Sequence, residues 1–152
     1  MDTKDTRKRW LAVLAQADGA ALALHAEAAC EGQTFEWLRR PETGLVMLRA
    51  RIGRSGDRFN AGEATITRCV LRHRDAQGHA TAGIGYVLGR DAQRAERVAQ
   101  LDALLQQPAL HDALMQLAIE PLARANDAAR VQAAAQAQAT RVRFFTMEPE
   151  AT

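Results

Sequence analysis

The sequence predicts an α+β protein, an antiparallel sheet of about four strands flanked by N-terminal and C-terminal helices. Three observations carry this. Apolar residues recur at helical spacing up to Cys30 and again after Asp91. Between them the period falls to two and β-branched residues gather, as in Thr65, Ile66, Thr67 and Val70. The strand candidates are short and consecutive, which favours a meander over parallel crossovers.

A first helix is expected over residues 6–17, with Trp10, Leu11, Leu14 and Ala17 on one stripe and Arg7 and Lys8 on the wet face. Asp18 and Gly19 break it. A second helix follows from about Ala20 to Cys30 and ends at Glu31 and Gly32. Thr34 to Arg40 reads as a short strand stopped by Pro41. In Leu45 to Ile52, alternation puts Val46, Leu48, Ala50 and Ile52 on one face, and Leu45, Met47, Arg49 and Arg51 on the other. Gly62 to His73 forms the next strand, with a slip in its alternation near Arg68 and Cys69 that suggests a bulge. Asp75 to Gly78 is a turn, and His79 to Leu88 returns through Gly83 and Gly85.

Asp91 is placed to cap the next helix, whose stripe is Ala95, Val98, Leu101, Leu104 and Leu105. Pro108 opens a helix from about Ala109 to Leu117, and Pro121 suits the first turn of a last one through the Ala/Gln-rich stretch 128–139. The expected organisation is thus one domain: a helical hairpin 5–31, a sheet 34–89, helices 91–139 and a tail 140–152. In that tail Phe144, Phe145 and Met147 are apolar after a polar helix, and they need a surface to dock on.

At 152 residues the chain is long enough for an ordinary core, although aromatics are only 5% and Ala supplies much of the 47% apolar content. Part of its stability is therefore expected from a partner surface. The net charge of +2 is too small to argue for nucleic acid. Nine arginines nevertheless lie between Arg39 and Arg74 against Glu42, Asp57 and Glu63. Arginine suits bidentate contact with phosphate or carboxylate, but arginine-rich base composition would produce the same bias. Cys30 and Cys69 lack CxxC spacing and read as buried thiols of a reducing compartment. The polar N-terminus and the lack of any apolar run near the ~20 residues of a membrane span predict a soluble, cytoplasmic protein.

The loop from Gly53 through Arg54, Gly56 and Arg58 to Gly62 has glycines that would let its backbone approach an anion, with arginines to supply charge. The plainer alternative is a hairpin loop that needs glycine for positive φ. No Gly-Lys-Ser/Thr follows, and a strand rather than a helix comes next, so neither a Walker loop nor a dinucleotide fingerprint is present. At Gly89 and Arg90 a strand meets a helix start, but Asp91 is better suited to cap it than to admit a phosphate. His25, His73, His79 and His111 lack metal-ligand spacing, so no metal site is expected. Glu42, Glu63 and Asp91 have no paired nucleophile, and Ser55, the single serine, sits in no elbow motif.

Three blocks resemble the G-subunit family of the bacterial phosphonate carbon–phosphorus lyase core complex. The first holds Glu42 to Val46, Ala50, Arg51, Gly53, Gly56, Arg58, Phe59, Ala61, Gly62, Ala64 and Thr65. The second holds Gly89, Arg90, Asp91, Ala95, Glu96, Arg97 and Asp102 to Gln106. The third holds Arg141, Val142, Phe144, Phe145, Thr146 and Met147. Only the segment from Asp75 to Ala82 is longer than the family pattern. The resemblance implies a subunit of a cytoplasmic assembly with H, I and J subunits and the L protein. That assembly lets a phosphonate displace adenine from ATP, so that ATP is a substrate of the complex and this chain carries no cofactor. It implies no catalytic residue here. Arg51, Arg58, Arg68 and Arg90 become candidates to hold an anion at a subunit junction, and Glu63 to face an oxocarbenium-like sugar. Phe59, Phe144, Phe145 and Met147 become candidates for partner docking. Two rival readings remain open: a scaffold that touches no substrate, and a small anion-binding protein acting alone.

Overall fold

The computed structural model describes residues 3–52 and 56–141. Helices α1 (Thr3–Gln16) and α2 (Gly19–Cys30) precede strands β1 (Phe35–Arg51), β2 (Arg58–Arg74) and β3 (Ala80–Leu88). Helices α3 (Ala92–Leu105), α4 (Pro108–Leu114) and α5 (Glu120–Ala139) follow. The sheet is antiparallel in the order β1-β2-β3. Among the described residues no helix is long and apolar enough to cross a membrane.

The α+β class and the flanking helices are as expected, but the strands among the described residues number three rather than about four. The two segments placed on either side of Pro41 are one strand of 17 residues. Proline is tolerated there because β1 lies at the edge of the sheet, where a missing N–H costs no ladder bond. Arg39 pairs with Val70 and Glu42 with Arg68, so Arg40 and Pro41 together lie opposite Cys69. The bulge expected near Arg68 and Cys69 is therefore not in that strand, and the extra residues belong to β1. β2 itself pairs with β3 without interruption from Ile66 to Arg74.

The Asp91 cap and the turn at Asp75 to Gly78 are as expected, and Asp18, expected only to break the first helix, also caps α2. Asp18 accepts from the amides of Ala20 and Ala21, and those hydrogen bonds, Ala21 first, hold its carboxyl below the usual range. Asp91 accepts from the Arg94 amide at 2.9 Å. The Asp75 carbonyl receives the Gly78 amide, while its side chain receives those of Gln77 and His79. Pro121 sits in the first turn of α5, as expected, but no break precedes that helix. A π-helical segment, Met115–Ile119, joins α4 to α5, and the Glu120 amide bonds to the Met115 carbonyl. The wider turn fits a proline that would otherwise crowd the preceding turn.

One face of the sheet is packed against helices. Thr67, Cys69, Leu71 and His73 of β2 alternate inward and are buried, as is Val87 of β3. Of these, Cys69, Leu71 and Val87 meet Trp10, Leu14, Leu22, Ala26, Val98 and Leu101 in one core. The inward positions of β3 between Thr81 and Val87 are Gly83 and Gly85, since α3 lies directly against the strand. A β-carbon on Gly83 would collide with the Ala99 carbonyl oxygen, and one on Gly85 with that of Ala95.

Arg7 is not on a wet face. Its Nη2 lies 2.7 Å from Oδ2 of the fully buried Asp102 on α3, and its Nε donates to Oδ1. Asp102 also accepts from Trp10 Nε1 at 2.9 Å and from the Ile84 amide at 2.9 Å. Arg7 and Gln106 both donate to the Ala82 carbonyl. Helices α1 and α3 thereby occupy the outer hydrogen-bonding edge of β3, which would otherwise invite another strand.

Candidate functional site: an arginine-bearing β-ribbon

β3 ends where Leu88 pairs with Ile66, but β1 and β2 continue. From Leu45 to Arg51 and from Arg58 to Thr65 they pair only with each other, as a two-stranded ribbon. The register sorts its side chains. Leu45 opposite Thr65, Met47 opposite Glu63, Arg49 opposite Asn60 and Arg51 opposite Arg58 share one face. Val46 opposite Ala64, Leu48 opposite Gly62 and Ala50 opposite Phe59 share the other. The separation of Arg49 and Arg51 from Val46, Leu48 and Ala50 is as alternation predicts. Ala61 is the extra residue of a bulge, beside Gly62 at φ +145°. Of the loop glycines, Gly62 thus satisfies the backbone reading. Gly56 answers to close approach instead, because a β-carbon there would collide with the Ile52 carbonyl oxygen. Gly53, Arg54 and Ser55 lie outside the described residues.

Of the five residues singled out as anion or substrate contacts, two come together. Arg51 and Arg58 are directly opposed, with β-carbons about 5 Å apart, and Arg49 is next on the same face. All three are exposed, and none forms an ion pair with a described residue. Like charges directly opposed across a ladder are unfavourable, so the arrangement suits an anion between them. Alternation placed Arg49 on this face, but its membership of the cluster needed the β2 register. Glu63 shares the face but is five residues from Arg58, roughly 16 Å at strand rise. Arg68 is on the opposite face and is held 2.7 Å from Glu42, which Arg39 also meets at 3.2 Å. Arg90 is exposed at the ribbon's root, beside Gly89, whose amide bonds the Thr65 carbonyl. Phe59 is on the apolar face and is partly exposed. Phe144, Phe145 and Met147 lie outside the described residues.

Two of the candidate acids and three of the four histidines have other employment. Glu42 is paired with arginines and Asp91 caps α3. His73 donates to the Thr34 carbonyl and leans on Phe35, His79 meets Asp75, and His111 donates to the Leu105 carbonyl beside Trp10. Among the described residues no group of three or more His, Cys, Asp or Glu could hold a metal.

Cys69 is fully buried, but Cys30 is only half-buried, contrary to expectation. Its position near the end of α2 opens it to a cleft lined by Glu27, Glu96, Arg97 and Gln100. Burial pushes both thiols up to about 11, with the Glu96 carboxylate adding to the effect. Neither is then a nucleophile at neutral pH. A chromogenic disulfide reagent at pH 7.5 should label the native protein slowly and both thiols rapidly once it is unfolded. Prompt labelling of native Cys30 would contradict the elevated pKa.

What this geometry can do is hold an anion at a ribbon tip and offer an apolar face behind it. Residues 5–148 match the family described as phosphonate metabolism protein PhnG. The alpha-D-ribose 1-methylphosphonate 5-triphosphate synthase subunit PhnG of Rhizobium meliloti (strain 1021) is 40% identical over 141 residues, covering 93% of this chain and 87% of that protein. The chain belongs to the PhnG family of phosphonate metabolism proteins.

Proposed function

We propose that this chain is an accessory subunit of a cytoplasmic multi-subunit transferase of phosphonate catabolism, working with the H, I and J subunits and the L protein. The transferase joins the ribose triphosphate of ATP to a phosphonate. A phosphonate oxygen bonds to the anomeric carbon, the bond from that carbon to adenine breaks, and adenine leaves with a proton. The relative's name supports this, since its product carries a methylphosphonate at ribose position 1 and a triphosphate at position 5.

The observation that carries the reading to residues is the opposed pair Arg51 and Arg58 with Arg49 beside it. Both substrates are anions, and a guanidinium cluster without intramolecular partners among the described residues complements a triphosphate or a phosphonate. The chain's part is positioning and charge neutralisation at a junction completed by other subunits. Glu63, on the same face, would face positive charge developing on the sugar.

Arg58→Ala, and separately Arg51→Ala, should lower kcat/KM for ribose triphosphate transfer by about 10- to 100-fold, as loss of a charge-assisted hydrogen bond of ~1.5–3 kcal/mol implies. Size-exclusion chromatography should show the complex intact, and the isolated variant chains should melt no lower than the parent, because a like-charge contact has been relieved. Loss of assembly would make the arginines interface residues. Unchanged turnover would favour the scaffold without substrate contact.

A further inference from the structure

Among the described residues the sheet carries helices on one face only. On the other, Ile84, Tyr86 and Leu88 of β3 stand exposed, Leu88 at 66% and Tyr86 at 46%. The register continues that face onto the ribbon through Val46, Leu48 and Phe59, the last two 46% and 43% exposed. Among the described residues no element covers this row. A contiguous apolar surface of this kind marks an interaction site, and a two-stranded ribbon is not stable by itself in water.

The charges on the face narrow what can cover it. They largely neutralise one another, Glu42 with Arg39 and Arg68, and Glu36 with Arg72. Arg74, exposed on the same face, brings the count to four arginines against two glutamates, a surplus of two positive charges. A second copy of the chain would bring the same surplus to the same contact. A different chain can bring an apolar surface with a carboxylate at its rim, which is the better electrostatic match. With the apolar face seated, Arg49, Arg51 and Arg58 are left on the reverse side of the ribbon, free to meet an anion.

We propose that a different polypeptide of the same complex lies across the open sheet face and the apolar side of the ribbon, with a carboxylate near Arg39 and Arg68. This rests on the subunit reading above, and it names the surface through which the subunit joins. The interface is expected to be read by a benzophenone amino acid placed at Tyr86 or at Phe59 in the co-purified complex, with Gln77 on the β2–β3 turn as reference. Irradiation should give adducts of this chain with one different subunit from Tyr86 and Phe59, and at most traces from Gln77. The double variant L48E/Y86E should melt like the parent chain yet bind the other subunits at least 100-fold more weakly. Adducts of twice this chain's mass would overturn the proposal in favour of a self-interface. It would equally be overturned by an intact complex that gives no adduct from either position, or by wild-type assembly of the well-folded double variant. A complex that cross-links as expected but makes no ribose 1-phosphonate product from ATP and methylphosphonate would overturn the enzymatic reading and leave the interface standing.

Discussion

Asp102→Ala should destabilise the chain by about 3–5 kcal/mol, a large share of an ordinary domain's total stability. The carboxylate is fully buried and neutralises Arg7, whose side chain is partly withdrawn from water. It also receives the Trp10 indole N–H and the Ile84 amide. Removing it leaves one cation and two N–H donors without their acceptor, and each must be rehydrated or remain unpaired. Asp102→Asn keeps one acceptor oxygen but loses the charge, and should fall between Ala and the parent. Urea unfolding followed by circular dichroism measures both. A loss below about 1 kcal/mol for the Ala variant would mean that water replaces the network easily. Because this network holds α1, α3 and the edge of β3 together, the variant should also weaken assembly, through folding rather than through the interface.

Gly85→Ala should be comparably severe. Insertion of a methyl into a packed interior typically costs about 1–3 kcal/mol, and this case belongs at or above the upper end. The obstacle is the backbone carbonyl of Ala95 in α3, not a side chain that can rotate away. Relief requires α3 to move off the sheet, which would open contacts among Cys69, Val87, Val98 and Ala99. Gly83→Ala meets the Ala99 carbonyl in the same manner. The expected signature is a lower urea midpoint with weakened near-ultraviolet dichroism from Trp10 and Trp37. A Gly85→Ala chain that melts with the parent would show that α3 sits farther from β3 than this packing implies.

The two cases differ in how far the sequence foreshadows them. Gly83 and Gly85 alternate within a strand, which marks close backbone approach, although nothing local identifies α3 as the element that approaches. Asp102 is less legible still. It falls within the apolar stripe of α3, next to Leu101, and only the arrival of Arg7 and Trp10 from more than ninety residues away turns a misplaced acid into a structural hub. In the candidate site, alternation is enough to assign Arg49 and Arg51 to the same face. It cannot show that Arg58 lies opposite Arg51, because the bulge at Ala61 shifts the register of the second strand. Arg68 shows the reverse failure. It has the right charge and a nearby position in the chain, yet it faces the other way and is occupied by Glu42.

The sequence alone determined the features that depend on neighbouring residues: the break at Asp18 and Gly19, the Asp91 cap, the turn at Asp75 to Gly78, the change of period between helices and strands, and the blocks that carry the family resemblance. Each of these is decided by hydrogen bonds or side-chain spacing within a few positions. The tertiary structure decided that Pro41 lies inside a strand, that Arg7 is paired rather than solvated, that two arginines are opposed at the ribbon tip, and that no described element covers one face of the sheet. These depend on which strand lies at an edge, on cross-strand register and on which helices cover which face. Such relations are set by burial and pairing between residues far apart in the chain, where local propensity carries no information.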